Sequence, residues 1–189
     1  MRVPHANPFD LGDMLHIRRT DFRQAMRTTP EGFRALLEMI HLNPIFISNT
    51  NNPQPPVKHQ LAITLERLGS NGNGASVGHF ARNYKVACGS VVNCTRRVIS
   101  AILEAGSHYI AWPNSNRRKA ISKVLERDGF PGCVGFVDGT TIPLFQRPGQ
   151  NGEVFFDRKH RYSLNVQIVC DCDRRITYAY GGWPAWILL

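Results

Sequence analysis

The sequence lacks a cysteine pairing pattern and a long apolar run, and it is short of acidic residues. Its five cysteines, at 88, 94, 133, 170 and 172, are an odd number with no Cys-x-x-Cys spacing. That excludes a disulfide framework or a tetrahedral zinc site as the organising principle and fits free thiols in a reducing compartment. No segment reaches the roughly 20 apolar residues of a membrane span. The N-terminal Met1–Asp10 stretch lacks the apolar core and cleavage pattern of a signal peptide. An intracellular chain with no membrane partner is expected. There is also no phosphate loop, dinucleotide fingerprint or nucleophile elbow. His79, His108 and His160 have no metal-ligand spacing.

The shortage of acids is the informative one. In 189 residues, 14 Asp and Glu face 23 Lys and Arg, a net charge of +9. Such a surface attracts polyanions, above all nucleic acid, through phosphate neutralisation and counterion release. The cations cluster: Arg18-Arg19 with Arg23 and Arg27, then Arg96-Arg97, Arg117-Arg118-Lys119, Arg158-Lys159 and Arg174-Arg175. The 42% apolar composition is enough for a buried core in one or two domains.

In chain order, a basic helix is expected around Arg18 to Met26. Thr29 and Pro30 then cap and start a helix with Phe33, Leu36, Leu37 and Ile40 at helical spacing. Residues 43–56 carry four prolines and four asparagines, which marks a linker. Leu61, Ala62, Leu65 and Leu68 share the face of a further helix that ends at Gly69. Ser76 caps the next, Tyr84 to Val86 turn, and Ser90 to Leu103 form a longer helix with Val91, Val98, Ile99 and Ile102 inward. This outline is helix-turn-helix-like. Read so, Ser90, Asn93 and Arg97 face the major groove, and Lys85 and Arg96 meet phosphates. An ordinary helical hairpin with a solvated polar face is the other reading. A basic helix over Arg117 to Arg127, with Ala120, Ile121, Val124 and Leu125 inward, leads to the strands.

Those strands begin with Phe130-Pro-Gly-Cys-Val-Gly-Phe-Val-Asp138-Gly-Thr-Thr-Ile142. Alternation puts Asp138 on one face with Val134 and Phe136, at a strand end before a Gly139 turn. A carboxylate so placed is a candidate ligand for a hard divalent cation, or simply a residue that accepts turn hydrogen bonds. Leu164, Val166, Ile168 and Cys170 alternate in a second strand, Asp171 to Arg175 form a polar turn, and Ile176, Tyr178 and Tyr180 alternate in a third.

Three segments, Gly135-Phe-Val-Asp-Gly-Thr-Thr141, Phe155-Phe-Asp-Arg-Lys-His-Arg-Tyr-Ser-Leu-Asn-Val-Gln-Ile-Val-Cys-Asp171 and Gly182-Trp-Pro184, occur in that order. Together they resemble the DDE endonuclease domain of PIF/Harbinger-type transposases and their domesticated relatives. The resemblance implies an α+β chain: an N-terminal helical region with a helix-turn-helix-like segment, followed by the first strands of an incomplete RNase H-like domain. The expected divisions are 1–56, 57–129 and 130–189. The resemblance makes Asp138 the first of three acidic ligands to divalent metal, Mg²⁺ or Mn²⁺, for hydrolysis of a DNA phosphodiester. Arg158 and Lys159, as one of the basic clusters, are expected to meet DNA; the resemblance together with the basic charge implies a nuclear location, and the resemblance implies a separate DNA-binding partner protein. Family members continue past Gly-Trp-Pro into a Gly-Ser-x-His-Asp run and, later, a glutamate. Here Pro184 is followed by Ala185-Trp-Ile-Leu-Leu189. The expectation is therefore a truncated member whose status as an enzyme is open, with a non-catalytic DNA-binding protein or a non-functional fragment as alternatives.

Overall fold

The computed structural model describes residues 18–48, 53–70, 72–106 and 109–184. His108, three of the four asparagines counted in the linker, and the apolar Ala185–Leu189 lie outside them. The chain divides into two compact units, Met1–Gly106 and Ser107–Leu189.

The first unit is helical: α1 (Arg19–Met26), α2 (Pro30–Ile40), α3 (Val57–Leu68), α4 (Val77–Asn83) and α5 (Cys88–Gly106). The helix starts follow local chemistry. Thr29 Oγ1 accepts the Gly32 N–H at 3.1 Å ahead of Pro30, and Ser76 Oγ accepts the His79 N–H at 3.3 Å. Phe22, Phe33, Ile40, Leu61, Phe80 and Val98 belong to one buried cluster, with Phe22 edge-on to Phe33 at 5.8 Å between centroids. Each such side chain contributes about 1.5–3 kcal/mol by leaving water.

That shared core overturns the division expected at residue 56. α1 and α2 bury their apolar faces in the same cluster as α3 to α5, so residues 43–56 join parts of one unit. Within that segment Asn43 Oδ1 accepts the Ile45 N–H at 3.0 Å and starts a 3₁₀ turn over Pro44–Phe46, whose Ile45 and Phe46 pack on the core. Pro44 opens a turn that is part of the packing. Leu68, expected inward, is exposed.

Between α4 and α5 the chain bends by 98°. Lys85 takes a left-handed φ of 52° in that bend. Val91, Cys94, Thr95, Val98 and Ala101 form the buried stripe of α5, and Ile99 and Ile102 are half-buried. The Tyr84 hydroxyl donates to the Glu66 carboxylate of α3, and Arg67 donates to Thr95 Oγ1 at 3.0 Å, so polar bonds as well as the core tie α3 to the bend and to α5. Burial, and after it that bond to Glu66, hold the Tyr84 phenol well above its ordinary pKa. Among the described residues no single helix is long and apolar enough to cross a membrane.

The second unit holds α6 (Ser115–Arg127) and strands β1 (Phe136–Pro143), β2 (Ser163–Cys170) and β3 (Ile176–Pro184). Asn114 Oδ1 caps α6 by accepting the Arg117 N–H at 2.9 Å. Ile121 and Leu125 are buried, while Ala120 and Val124, expected inward, are exposed. α6 thus belongs with the strands, and the boundary expected at 129 lies at Gly106.

The sheet order is β1-β2-β3 and both pairings are antiparallel. β1 does not turn at Gly139: that glycine has no left-handed φ, pairs with Gln167, and is followed by Thr140, Thr141 and Ile142 in continued register. The β-branched residues carry the strand on. At Gly181 a Cβ would lie 2.9 Å from Val166 Cγ2, so the close approach of β3 to β2 requires glycine there. Helices first and an antiparallel three-stranded sheet second make the chain α+β, and the sheet is consistent with part of an RNase H-like domain.

Candidate functional site

Asp138 is the third residue of β1, inside the strand rather than at its end. It sits opposite Ile168 of β2, which sits opposite Ala179 of β3, so the carboxylate stands on a face with small and apolar neighbours. The side chain is exposed, and Oδ1 accepts the N–H of Gly139 at 2.8 Å. No group of three His, Cys, Asp or Glu side chains able to hold a metal exists among the described residues.

Both ends of β2 carry a tight loop built on an aspartate. At the leading end Phe156 bridges Tyr162, and the Asp157 N–H donates to the Arg161 carbonyl at 2.7 Å. Asp157 Oδ1 accepts the N–H groups of Lys159 (2.8 Å) and Arg161 (3.0 Å), and Oδ2 accepts the Ser163 hydroxyl at 2.9 Å. At the trailing end Cys170 pairs with Ile176, and the Asp171 N–H donates to the Arg175 carbonyl at 3.0 Å. Asp171 Oδ1 accepts the N–H groups of Asp173 (2.9 Å) and Arg175 (3.0 Å). His160 and Arg174 occupy the same fourth position with left-handed φ of 58° and 61°. These are three-residue hairpin loops closed by a left-handed residue.

The two carboxylates titrate alike. Burial pushes the Asp157 carboxyl up, but the Arg161 N–H, the Ser163 hydroxyl and the Lys159 N–H outweigh it and leave the pKa below the usual value. Burial likewise opposes ionisation of Asp171, and there the Arg117 guanidinium and the N–H groups of Arg175 and Asp173 prevail. Arg117 Nη2 donates to Asp171 Oδ2 at 2.9 Å and also to Asp173, which ties the first turn of α6 to the trailing loop. The hydrogen bonds that Arg117 donates to those two carboxylates raise its pKa.

The expected site residues fall in two groups, one in each unit. On α5 Asn93 and Arg96 are exposed, with Ser90 and Arg97 half-buried at the margins, and Lys85 is exposed on the bend. Arg158 and Lys159 are exposed on the leading loop, and Asp138 stands further along the same sheet. Arg161 and Arg117 were legible only as members of basic clusters, and Asp157 was not singled out from the sequence. A signal for it exists: Asp-x-x-x-Arg occurs at 157–161 and again at 171–175.

Comparison with known proteins gives a family likeness. Residues 137–187 match the family model described as DDE superfamily endonuclease. Antagonist of Like Heterochromatin Protein 1 of Arabidopsis thaliana is 32% identical over 166 residues, 86% of this chain and 41% of that protein. An ALP1-like protein of the same plant is 28% identical over 75% of this chain and 34% of its own length. HARBI1 of Rattus norvegicus, which carries the word nuclease in its name, is 25% identical over 64% of this chain and 35% of its own. No solved structure matches. The chain is similar to Harbinger-type relatives of the DDE superfamily, and it spans between a third and about two fifths of the length of these relatives.

Proposed function

We propose that this chain carries the first metal-binding carboxylate, Asp138, and the DNA-contacting surfaces of a metal-dependent DNA endonuclease that works in the nucleus. The observation that supports this most directly is an exposed aspartate inside the first strand of the segment matching the endonuclease family. Mg²⁺ or Mn²⁺ is the proposed cofactor, since hard cations take carboxylate oxygens. A two-metal centre needs several carboxylates to clamp attacking and leaving oxygens. Among the described residues Asp138 belongs to no group of three ligand side chains, so they do not fit a complete centre, and no hydrolytic step is assigned to them. The surfaces proposed to hold DNA are the exposed side of α5 with Lys85, used as a helix-turn-helix-like element, and the leading loop with Arg158 and Lys159. The 98° bend between α4 and α5 falls in the range of helix-turn-helix pairs. A separate DNA-binding partner protein remains part of the proposal.

The lack of a three-ligand group favours a second reading, a non-catalytic DNA-binding protein. A cleavage and binding assay on duplex DNA with Mg²⁺ or Mn²⁺ separates the two. Metal-dependent cleavage lost in Asp138→Ala supports the nuclease reading, and cleavage retained in that variant contradicts it. Duplex binding without cleavage favours the second reading, and no binding by the wild type contradicts both.

A further inference from the structure

The leading loop presents Arg158, Lys159, His160 and Arg161 in succession, all exposed, from a backbone held at several points. Asp157, itself buried, takes two backbone N–H groups on one oxygen and the buried Ser163 hydroxyl on the other. Beneath the loop the Phe156 ring meets His160 at 5.9 Å and Tyr162 at 5.3 Å between centroids. Arg158, Lys159 and Arg161 form no ion pair among the described residues, so their charges face solvent. Cations on a flexible loop lose freedom when they meet a phosphate; cations on a fixed loop lose less, and preorganisation of this kind raises affinity.

We propose that the 157–161 loop is a preorganised grip for the phosphate backbone of duplex DNA, and that the buried Asp157 is its positioning residue. The inference rests on the DNA reading above and adds Asp157 and Arg161 to it. Register sets its relation to Asp138. Asp138 lies opposite Ile168, five strand positions beyond Ser163, so the strand end that carries the loop lies about 17 Å from the carboxylate along β2. A B-form duplex rises about 3.4 Å per base pair, so one duplex lying on Asp138 reaches the loop more than about five base pairs away. The contact is to phosphate and is independent of sequence.

The test is the affinity of the full chain for a duplex of arbitrary sequence across a salt series. Each phosphate contact contributes about 0.9 to the log–log salt slope, so Arg158→Gln with Lys159→Gln and Arg161→Gln lowers its magnitude by about 2 to 3. Asp157→Ala leaves every cation in place and makes the chain more positive by one charge. If charge alone mattered, it would bind more tightly. The proposal expects weaker binding, by roughly three- to tenfold, with Asp157→Asn, which keeps the Oδ1 acceptor, close to wild type. A slope unchanged in the triple variant overturns the proposal and the leading-loop surface with it, while duplex binding through α5 still stands; tighter binding by Asp157→Ala overturns the proposal alone. Absence of duplex binding in the wild type overturns the DNA reading first. The triple variant changes only exposed side chains, so it decides alone if Asp157→Ala does not fold.

Discussion

The two loops flanking β2 share a backbone and differ in what their aspartates serve. Both fix the chain by taking N–H groups two and four residues on, and both place a non-glycine residue in the left-handed region. In the trailing loop Asp171 and Asp173 face Arg174 and Arg175, and Arg117 reaches in from α6 to bond both carboxylates. In the leading loop one buried aspartate is set against three cations, and among the described residues no ion pair from another element engages them. The same turn therefore serves as a clamp at one end of the strand and leaves its charges available at the other. Local geometry does not decide between the roles; the charge balance around it does.

The comparison is broken most strongly at Asp171. Asp171→Ala leaves the N–H groups of Asp173 and Arg175 without their acceptor and the Arg117 guanidinium with Asp173 alone, and should lower stability by about 2 kcal/mol in urea melts. DNA affinity measured well below the new midpoint should hold. Arg117→Met removes the arm but keeps the turn's own bonds, so its thermal midpoint should fall by less than that of Asp171→Ala. A larger fall would mean that the arm, and not the turn, is the main anchor.

A pH series probes both loops together. Each aspartate has a folded pKa depressed below the ordinary value, so each contributes stability present above the unfolded pKa of about 3.9 and lost as pH falls through the lower folded value. The urea midpoint should be flat through neutrality and drop below about pH 4. Asp171→Asn should shallow that drop. The smallest effect belongs to the left-handed residues. Arg174→Gly should stabilise by about 0.5–1 kcal/mol, since glycine adopts that φ freely, and the gain at His160→Gly should be less because its ring contact with Phe156 is lost.

How much of this could be read from the sequence follows from how local each signal is. The caps at Thr29 and Ser76 were legible because each bond spans three residues. The three strands and the polar turn at Asp171 were legible from alternation and turn chemistry. The position of Asp138 within β1 was misread because glycine after aspartate resembles a turn, and only pairing with Gln167 decides otherwise. The single core joining α1 and α2 to α5 was not legible, since packing across the proline-rich segment leaves no mark on local composition. Asp157 was passed over because its value lies in bonds to backbone groups, which a list of charged side chains does not show.

One matched pair of variants tests the central contrast most directly. The salt slope of duplex binding is measured for Arg158→Gln/Lys159→Gln/Arg161→Gln and for Arg174→Gln/Arg175→Gln beside the wild type. The account predicts a slope reduced by about 2 to 3 in the first and unchanged in the second. Equal reductions, or a reduction confined to the trailing loop, would contradict it.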